Sequence, residues 1–217
     1  MSTDSTTPFE TPASNMIGPA RRAANRNGCS VSVALGAGGA RGISHLGVME
    51  AILELGLPLD HLCGISIGAI AGALCAVDPD IKRVQAKAME FADSPEFKRH
   101  RAQMFATTPA QGYDSTTAGW LRRAKKLISA HQKVTRAIRG MSILPENVLQ
   151  HVVETLLPDI GLEETNLPLS VGAVDLLSGT RVELREGSLR EAVRASSAIP
   201  GVFPPVPWGA MLLCDIG

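Results

Sequence analysis

A serine set between two glycines, Gly64-Ile65-Ser66-Ile67-Gly68, is the first place where this sequence could do chemistry. The spacing is G-x-S-x-G, the form of a nucleophile elbow. A serine exposed on a sharp strand-to-helix turn needs neighbours without a Cβ, and Gly64 and Gly68 supply them. Ser66 is then the candidate nucleophile. A helix starting at Ile67 would aim its positive N-terminal end at a developing oxyanion. The plainer alternative is a packing turn in which Ser66 only caps that helix.

A second stretch is Gly36-Ala37-Gly38-Gly39-Ala40-Arg41-Gly42. Arg41 stands where a dinucleotide fingerprint needs its third glycine, and the Gly-Lys-Ser/Thr of a phosphate loop is absent. What is left is a glycine-rich loop of bare N–H groups ahead of a helix. Such a loop can cradle a tetrahedral oxyanion. A tight turn required only for packing is the alternative. A nucleotide-binding module has little support once Arg41 breaks the fingerprint.

The remaining reactive side chains argue mostly for the background. None of Cys29, Cys63, Cys75 and Cys214 forms a C-x-x-C pair, so the expectation is buried free thiols in a reducing compartment and no zinc site. His45 follows the glycine loop by one helical turn and could approach Ser66, yet it reads more simply as a residue packed under the loop. Asp175 precedes a turn and reads as a strand-end or turn residue.

The elements that must position these residues follow from periodicity. Residues 30–35 form a β-branched strand stopped by glycine, and a helix closed by Gly56 follows the loop. Residues 59–64 form a second strand and 67–76 a buried helix. Strand, loop, helix, strand, helix implies parallel strands with right-handed crossovers. Further helices are expected over 81–92, over 120–139 with a basic face, and from Pro145 through Leu157. Residues 169–176 and 180–185 read as a hairpin around Ser178-Gly179. Residues 191–195 read as a short helix, 199–208 with four prolines as irregular, and 211–214 as a last strand.

Composition bounds the partners. With 217 residues, 45% hydrophobic, the chain can fold as one α/β domain. Its 21 basic and 21 acidic residues balance, giving no general pull toward nucleic acid or anionic lipid. No apolar run is long enough for a membrane-spanning helix. The basic 120–139 segment reads as a solvated surface helix, or as one that lies on an anionic membrane.

Taken in order, four blocks resemble the patatin-like phospholipase family: Gly38-Gly39-Ala40-Arg41-Gly42, then Gly64-Ile65-Ser66-Ile67-Gly68, then Ala195-Ser196-Ser197-Ala198-Ile199-Pro200-Gly201-Val202-Phe203, then Asp215. The nearest branch is the bacterial one similar to the neuropathy target esterase catalytic domain. The resemblance runs from Val31 to the end. It implies a three-layer α/β fold with a mostly parallel central sheet flanked by helices. It also implies a serine lipid acyl hydrolase that works without metal or organic cofactor. In that reading Ser66 is the nucleophile and Asp215 the second member of a Ser–Asp dyad without histidine. Gly38, Gly39, Ala40, Arg41 and Gly42 form the oxyanion hole through their backbone N–H groups. Gly64, Ile65, Ile67 and Gly68 build the elbow, and residues 196–203 line an acyl pocket. Such a dyad requires Asp215 within hydrogen-bond reach of Ser66 in a partly desolvated site.

Two departures are visible. The family has Asp-Gly-Gly or Asp-Gly-Ala where this chain has Asp215-Ile216-Gly217. Were a positive φ required at position 216, isoleucine would be costly there. The family also continues well past the aspartate. Residues 29–217 therefore read as a hydrolase domain incomplete at its C-terminus, and residues 1–28 as a disordered leader. The expected partners are a phospholipid or lysophospholipid substrate and, peripherally, a membrane, with no nucleic acid. The expected location is cytoplasmic. The alternative function is an inactive patatin-like protein that only binds lipid, and ester turnover separates the two.

Overall fold

The computed structural model describes residues 31–95, 97–99 and 144–216. The leader over 1–28 and the basic helix over 120–139 lie outside the described residues.

The expected elements form largely where periodicity puts them. Strand β1, Val31–Leu35, runs into the glycine loop, and helix α1, Ser44–Glu54, follows. Gly56, at φ +63°, turns the chain toward β2, Leu59–Ile65. Helix α2, Ile67–Val77, is nearly all small or apolar, and eight of its residues are buried. Asp80 accepts from Lys82 N at 3.0 Å and Arg83 N at 3.3 Å, so it caps α3, Ile81–Asp93. Helix α4 spans Glu146–Leu156 behind Pro145. The hairpin is β3, Leu169–Asp175, and β4, Arg181–Leu184. Helix α5, Leu189–Ser197, is capped by Ser188 and is longer at both ends than its apolar spacing suggested.

Two elements depart from expectation. The glycine loop closes into a 3-10 turn over Gly39–Ile43, because Arg41 N reaches Gly38 O at 3.3 Å. The proline-rich stretch, read as irregular, contains a strand, β5, Val206–Trp208. Among the described residues it pairs only with β6, Met211–Cys214, at the edge of the sheet. An edge strand leaves the N–H side unpaired, so Pro207 costs no ladder bond there.

The sheet order is β1-β2-β3-β6-β5, with β4 also pairing β3. The three longest strands, β1, β2 and β3, are parallel neighbours and contain most of the sheet. The three short strands join antiparallel. Helices α2 and α5 contact each other and the sheet, and α1, α3 and α4 pack around them. The result is the α/β architecture expected, a mostly parallel sheet flanked by helices. Leu62, Val171, Leu189, Val193 and Leu213 are fully buried at its centre. Burying each such side chain contributes about 1.5–3 kcal/mol.

One detail of register decides where the site sits. Strand β3 pairs with β2 through Gly172↔Ile65 and with β6 through Val174↔Cys214. Val174 also pairs with Arg181 of β4, so β6 lies on the other side of β3 from β4, the side occupied by β2. Strands β2 and β6 therefore meet end to end along one flank of β3. The end of β2 leads into Ser66, and the end of β6 leads into Asp215.

Candidate active site

The backbone at Ser66 is the most unusual in the described structure. Its φ is 57° and its ψ −124°, and among the described residues it alone outside glycine has a positive φ. Such a conformation costs about 1–3 kcal/mol and persists only where surrounding structure enforces it. The enforcement is steric and visible. A Cβ on Gly64 would lie 2.5 Å from Ala69 Cα, and one on Gly68 would lie 2.1 Å from Leu35 O. Both neighbours are main chain and cannot swing aside. Strand β2, the turn and the start of α2 are thus pressed against one another and against the end of β1.

Ser66 opens α2, yet its hydroxyl makes no capping bond. That rules out the plainer reading in which the serine is there to cap. Its carbonyl accepts from Ala69 N at 2.9 Å and Ile70 N at 3.3 Å. Its N–H donates to Ser196 Oγ at 2.9 Å, and Ser196 Oγ donates to Gly172 O at 2.6 Å. Ser197 Oγ reaches Ser66 O at 3.4 Å. Ser66 itself is 9% exposed.

The glycine block lies directly against this turn. A Cβ on Gly42 would stand 2.3 Å from Ile67 Cγ1 and Cγ2. Gly39 has φ +56°, which lets the chain wind from the open loop into the 3-10 turn. The first N–H groups of a helical turn have no partner within it. The block is braced from behind, where Ser44 Oγ donates to Arg41 O at 2.9 Å and His45 Nε2 lies 2.9 Å from Gly36 O. His45 is therefore a brace under the loop, as expected of it. The Arg41 side chain is exposed.

Asp215 follows β6 directly and is 5% exposed, with its N–H donating to Ala198 O at 3.0 Å. Three consecutive residues at the end of α5 thus grip both halves of the site: Ser196 and Ser197 hold Ser66, and Ala198 holds Asp215. The side chains flanking the two candidates also converge. A Cβ on Gly172 would meet Ile65 Cγ1 at 3.0 Å and Ile216 Cδ1 at 3.3 Å. Ile216 does not adopt a positive φ, so the strain feared for isoleucine there is not incurred.

Asp175 belongs to the frame. Its carboxylate accepts from Ser178 Oγ at 2.6 Å, Leu212 N at 2.9 Å, Leu177 N at 3.1 Å and Ser178 N at 3.2 Å. The Ser178 hydroxyl, then the Leu212 N–H, hold its pKa down at about 2. It is the turn residue expected, and it also fastens β6 to the end of β3. Burial, with the Asp215 and Asp175 carboxylates adding, pushes the Cys214 thiol up to about 11.

The structure thus gathers Ser66, the Gly38–Gly42 block and Asp215 at the carboxyl end of the parallel strands, where open α/β sheets bind ligands. Exposed Ile43, at the end of the 3-10 turn, and Leu177 and Ile199, in loops, lie at the same end. A cavity of about 210 Å³ lined by Met49, Leu59, Cys75, Ile81 and Leu167 opens at the far end of β2, away from Ser66. Among the described residues no cluster of His, Cys, Asp or Glu is arranged to hold a metal, and no helix is long and apolar enough to cross a membrane. Sequence reading missed the part played by Ser196. The available signal was a pair of serines on the buried side of a strongly amphipathic helix.

Comparison with known proteins identifies the family. A family model described as patatin-like phospholipase matches residues 33–215. An uncharacterized NTE family protein of Mycobacterium tuberculosis is 31% identical over 187 residues, covering 86% of this chain and 42% of that protein. The neuropathy target esterase sws of Drosophila sechellia is 29% identical over 192 residues, covering 88% of this chain and 11% of the fly protein. The chain spans less than half the length of these relatives. Among solved structures, VipD from Legionella pneumophila superposes with a TM-score of 0.47 at 20% identity, covering 85% of this chain and 45% of that one.

Proposed function

The chain belongs to the patatin-like phospholipase family, and on that premise we propose that it is a serine hydrolase of lipid acyl esters, with Ser66 as nucleophile and Asp215 as the group that takes its proton. The substrate class is phospholipid or lysophospholipid, met at the periphery of a membrane. The observation that carries the reading is the backbone of Ser66. A strained positive φ at a strand-to-helix junction, with the hydroxyl released from capping, is the form of a nucleophile elbow, and strain of this kind clusters at reactive groups.

The chemistry would run as follows. Ser66 Oγ attacks the ester carbonyl carbon while its proton passes to the Asp215 carboxylate. The carbonyl oxygen becomes an oxyanion that accepts hydrogen bonds from backbone N–H groups of Gly38, Gly39, Ala40 and Gly42 and from the start of α2, while the Arg41 N–H expected among them is engaged by Gly38 O at 3.3 Å. Collapse breaks the ester C–O bond, and the proton on Asp215 goes to the departing alcohol. Water then attacks the acyl-enzyme, giving its proton to Asp215, and the fatty acid leaves as the serine is re-protonated. Protein groups and water suffice for every step. Each good oxyanion donor is worth about 2.7–4 kcal/mol to such a reaction.

A fluorophosphonate probe, which reacts with activated serines, tests the reading. The parent chain labels, Ser66→Ala does not, and Asp215→Asn labels much more slowly. A folded parent chain that does not label defeats the proposal and leaves a protein that holds lipid without turning it over.

A further inference from the structure

We propose that Ser196 is a positioning residue for the reaction at Ser66, its hydroxyl fixing the elbow to β3 so that nucleophile and carboxylate keep one geometry. The inference rests on the reading of Ser66 as nucleophile. Four observations lead to it. Ser196 is fully buried, although serine is mostly an exposed residue type. Its hydroxyl is used in both senses at once, accepting from Ser66 N at 2.9 Å and donating to Gly172 O at 2.6 Å. That matches the capacity of a hydroxyl, one donor with lone pairs to spare, and no aliphatic side chain can replace it.

The third observation is where the second bond lands. Gly172 is the β3 residue against which Ile65 and Ile216 both pack. The Ser196 hydroxyl therefore ties the elbow to the point where the β2 and β6 ends meet. The fourth is that the next residues continue the grip, through Ser197 Oγ on Ser66 O and Ala198 O on Asp215 N. The end of α5 sets the spacing of Ser66 and Asp215, and Ser196 is its most firmly bonded contact. A corollary concerns the oxyanion. The Ser66 N–H is spent on Ser196, so it is not an oxyanion donor, and that work falls to the glycine block and the start of α2.

The test measures the rate of fluorophosphonate labelling against probe concentration, which separates reversible probe binding from bond formation. Parent, Ser66→Ala, Ser196→Ala and Ser196→Thr are compared, with thermal melts of each. Ser196→Ala is expected to lower the saturating rate by about 10- to 100-fold, the loss typical of a misplacement near 1 Å. Half-saturating probe concentration stays within a factor of about two of the parent, since the pocket is untouched. Ser196→Thr, which keeps a hydroxyl, recovers most of the rate. A residue that only stabilised the fold would lower the fraction of molecules that label and leave the rate of those that do unchanged. Should Ser196→Ala not fold, Ser196→Cys keeps the shape of the side chain, with a somewhat larger atom, while weakening both bonds, and it must label more slowly than the parent. A parental rate in Ser196→Ala, or in Ser196→Cys where that is the variant read, overturns the role assigned to Ser196 alone. No label on the folded parent overturns the reading of Ser66, and this inference with it.

Discussion

Replacing Gly68 by alanine should disable the site through one methyl group. That methyl would lie 2.1 Å from Leu35 O, 2.5 Å from Leu35 C and 2.7 Å from Gly36 O, whereas ordinary contact begins at 3.4 Å. The shortfall of about 1.3 Å is against the main chain of β1 and the glycine loop, so no side chain can absorb it. The start of α2 must back away, and Ser66, two residues upstream, goes with it. A displacement near 1 Å at a reacting atom costs about 100-fold in rate, and the overpacking itself costs about 1–3 kcal/mol of stability. Gly72→Ala is the matched control. It lies one turn further along the same face of α2, where a Cβ meets Leu169 Cδ1 at 3.4 Å and Leu35 Cδ1 at 3.5 Å, both ordinary contacts. With alanine favoured over glycine inside a helix by about 1 kcal/mol, Gly72→Ala should match or exceed the parent in stability and label normally. Fluorophosphonate labelling rates and urea melts read both quantities. If Gly68→Ala folds and labels at the parental rate, either α2 does not abut β1 as described or Ser66 is not the reacting group.

Two further outcomes follow from titrating groups. Asp175 ionises at about 2 in the folded protein against an ordinary 3.8, so its contribution to stability is fully present above pH 3.8 and is lost as pH falls through about 2. The difference in melting temperature between parent and Asp175→Asn should be constant at neutral pH and shrink on acidification, and a difference that persists unchanged to pH 2 contradicts the network drawn around it. Burial raises the thiol of Cys75 to about 12 and that of Cys214 to about 11. Alkylation of the native protein at pH 8 should therefore spare both, as read by peptide mass spectrometry before and after unfolding, and rapid native modification of either would show that its strand or helix opens.

The sequence was legible where the physics is local. β-Branching marked β1, glycine at 56 marked a helix end, and G-x-S-x-G marked a strand-to-helix turn, because each of these depends on residues a few positions apart. Asp175 was legible as a turn residue for the same reason, since three of its four bonds go to Leu177 and Ser178. Its fourth, to Leu212, was not, and neither was the bond from Ser66 to Ser196 across 130 residues. Proline at 207 hid β5, because proline argues against a central strand and the sequence does not say that this strand is at the edge. The placement of Asp215 was carried by resemblance alone. Its physical cause, β2 and β6 meeting end to end beside β3, is a matter of register that no local pattern encodes.

That end-to-end meeting also has a consequence during synthesis. Strand β2 and the elbow emerge from the ribosome early, while β6, which brings the carboxylate, emerges long after, behind both β3 and α5. A nascent chain can fold its parallel strands and expose its serine to surrounding lipid with no carboxylate beside it. The proposed hydrolase would thus be silent on the ribosome and become competent in one late step, as α5 and β6 dock onto a sheet already formed.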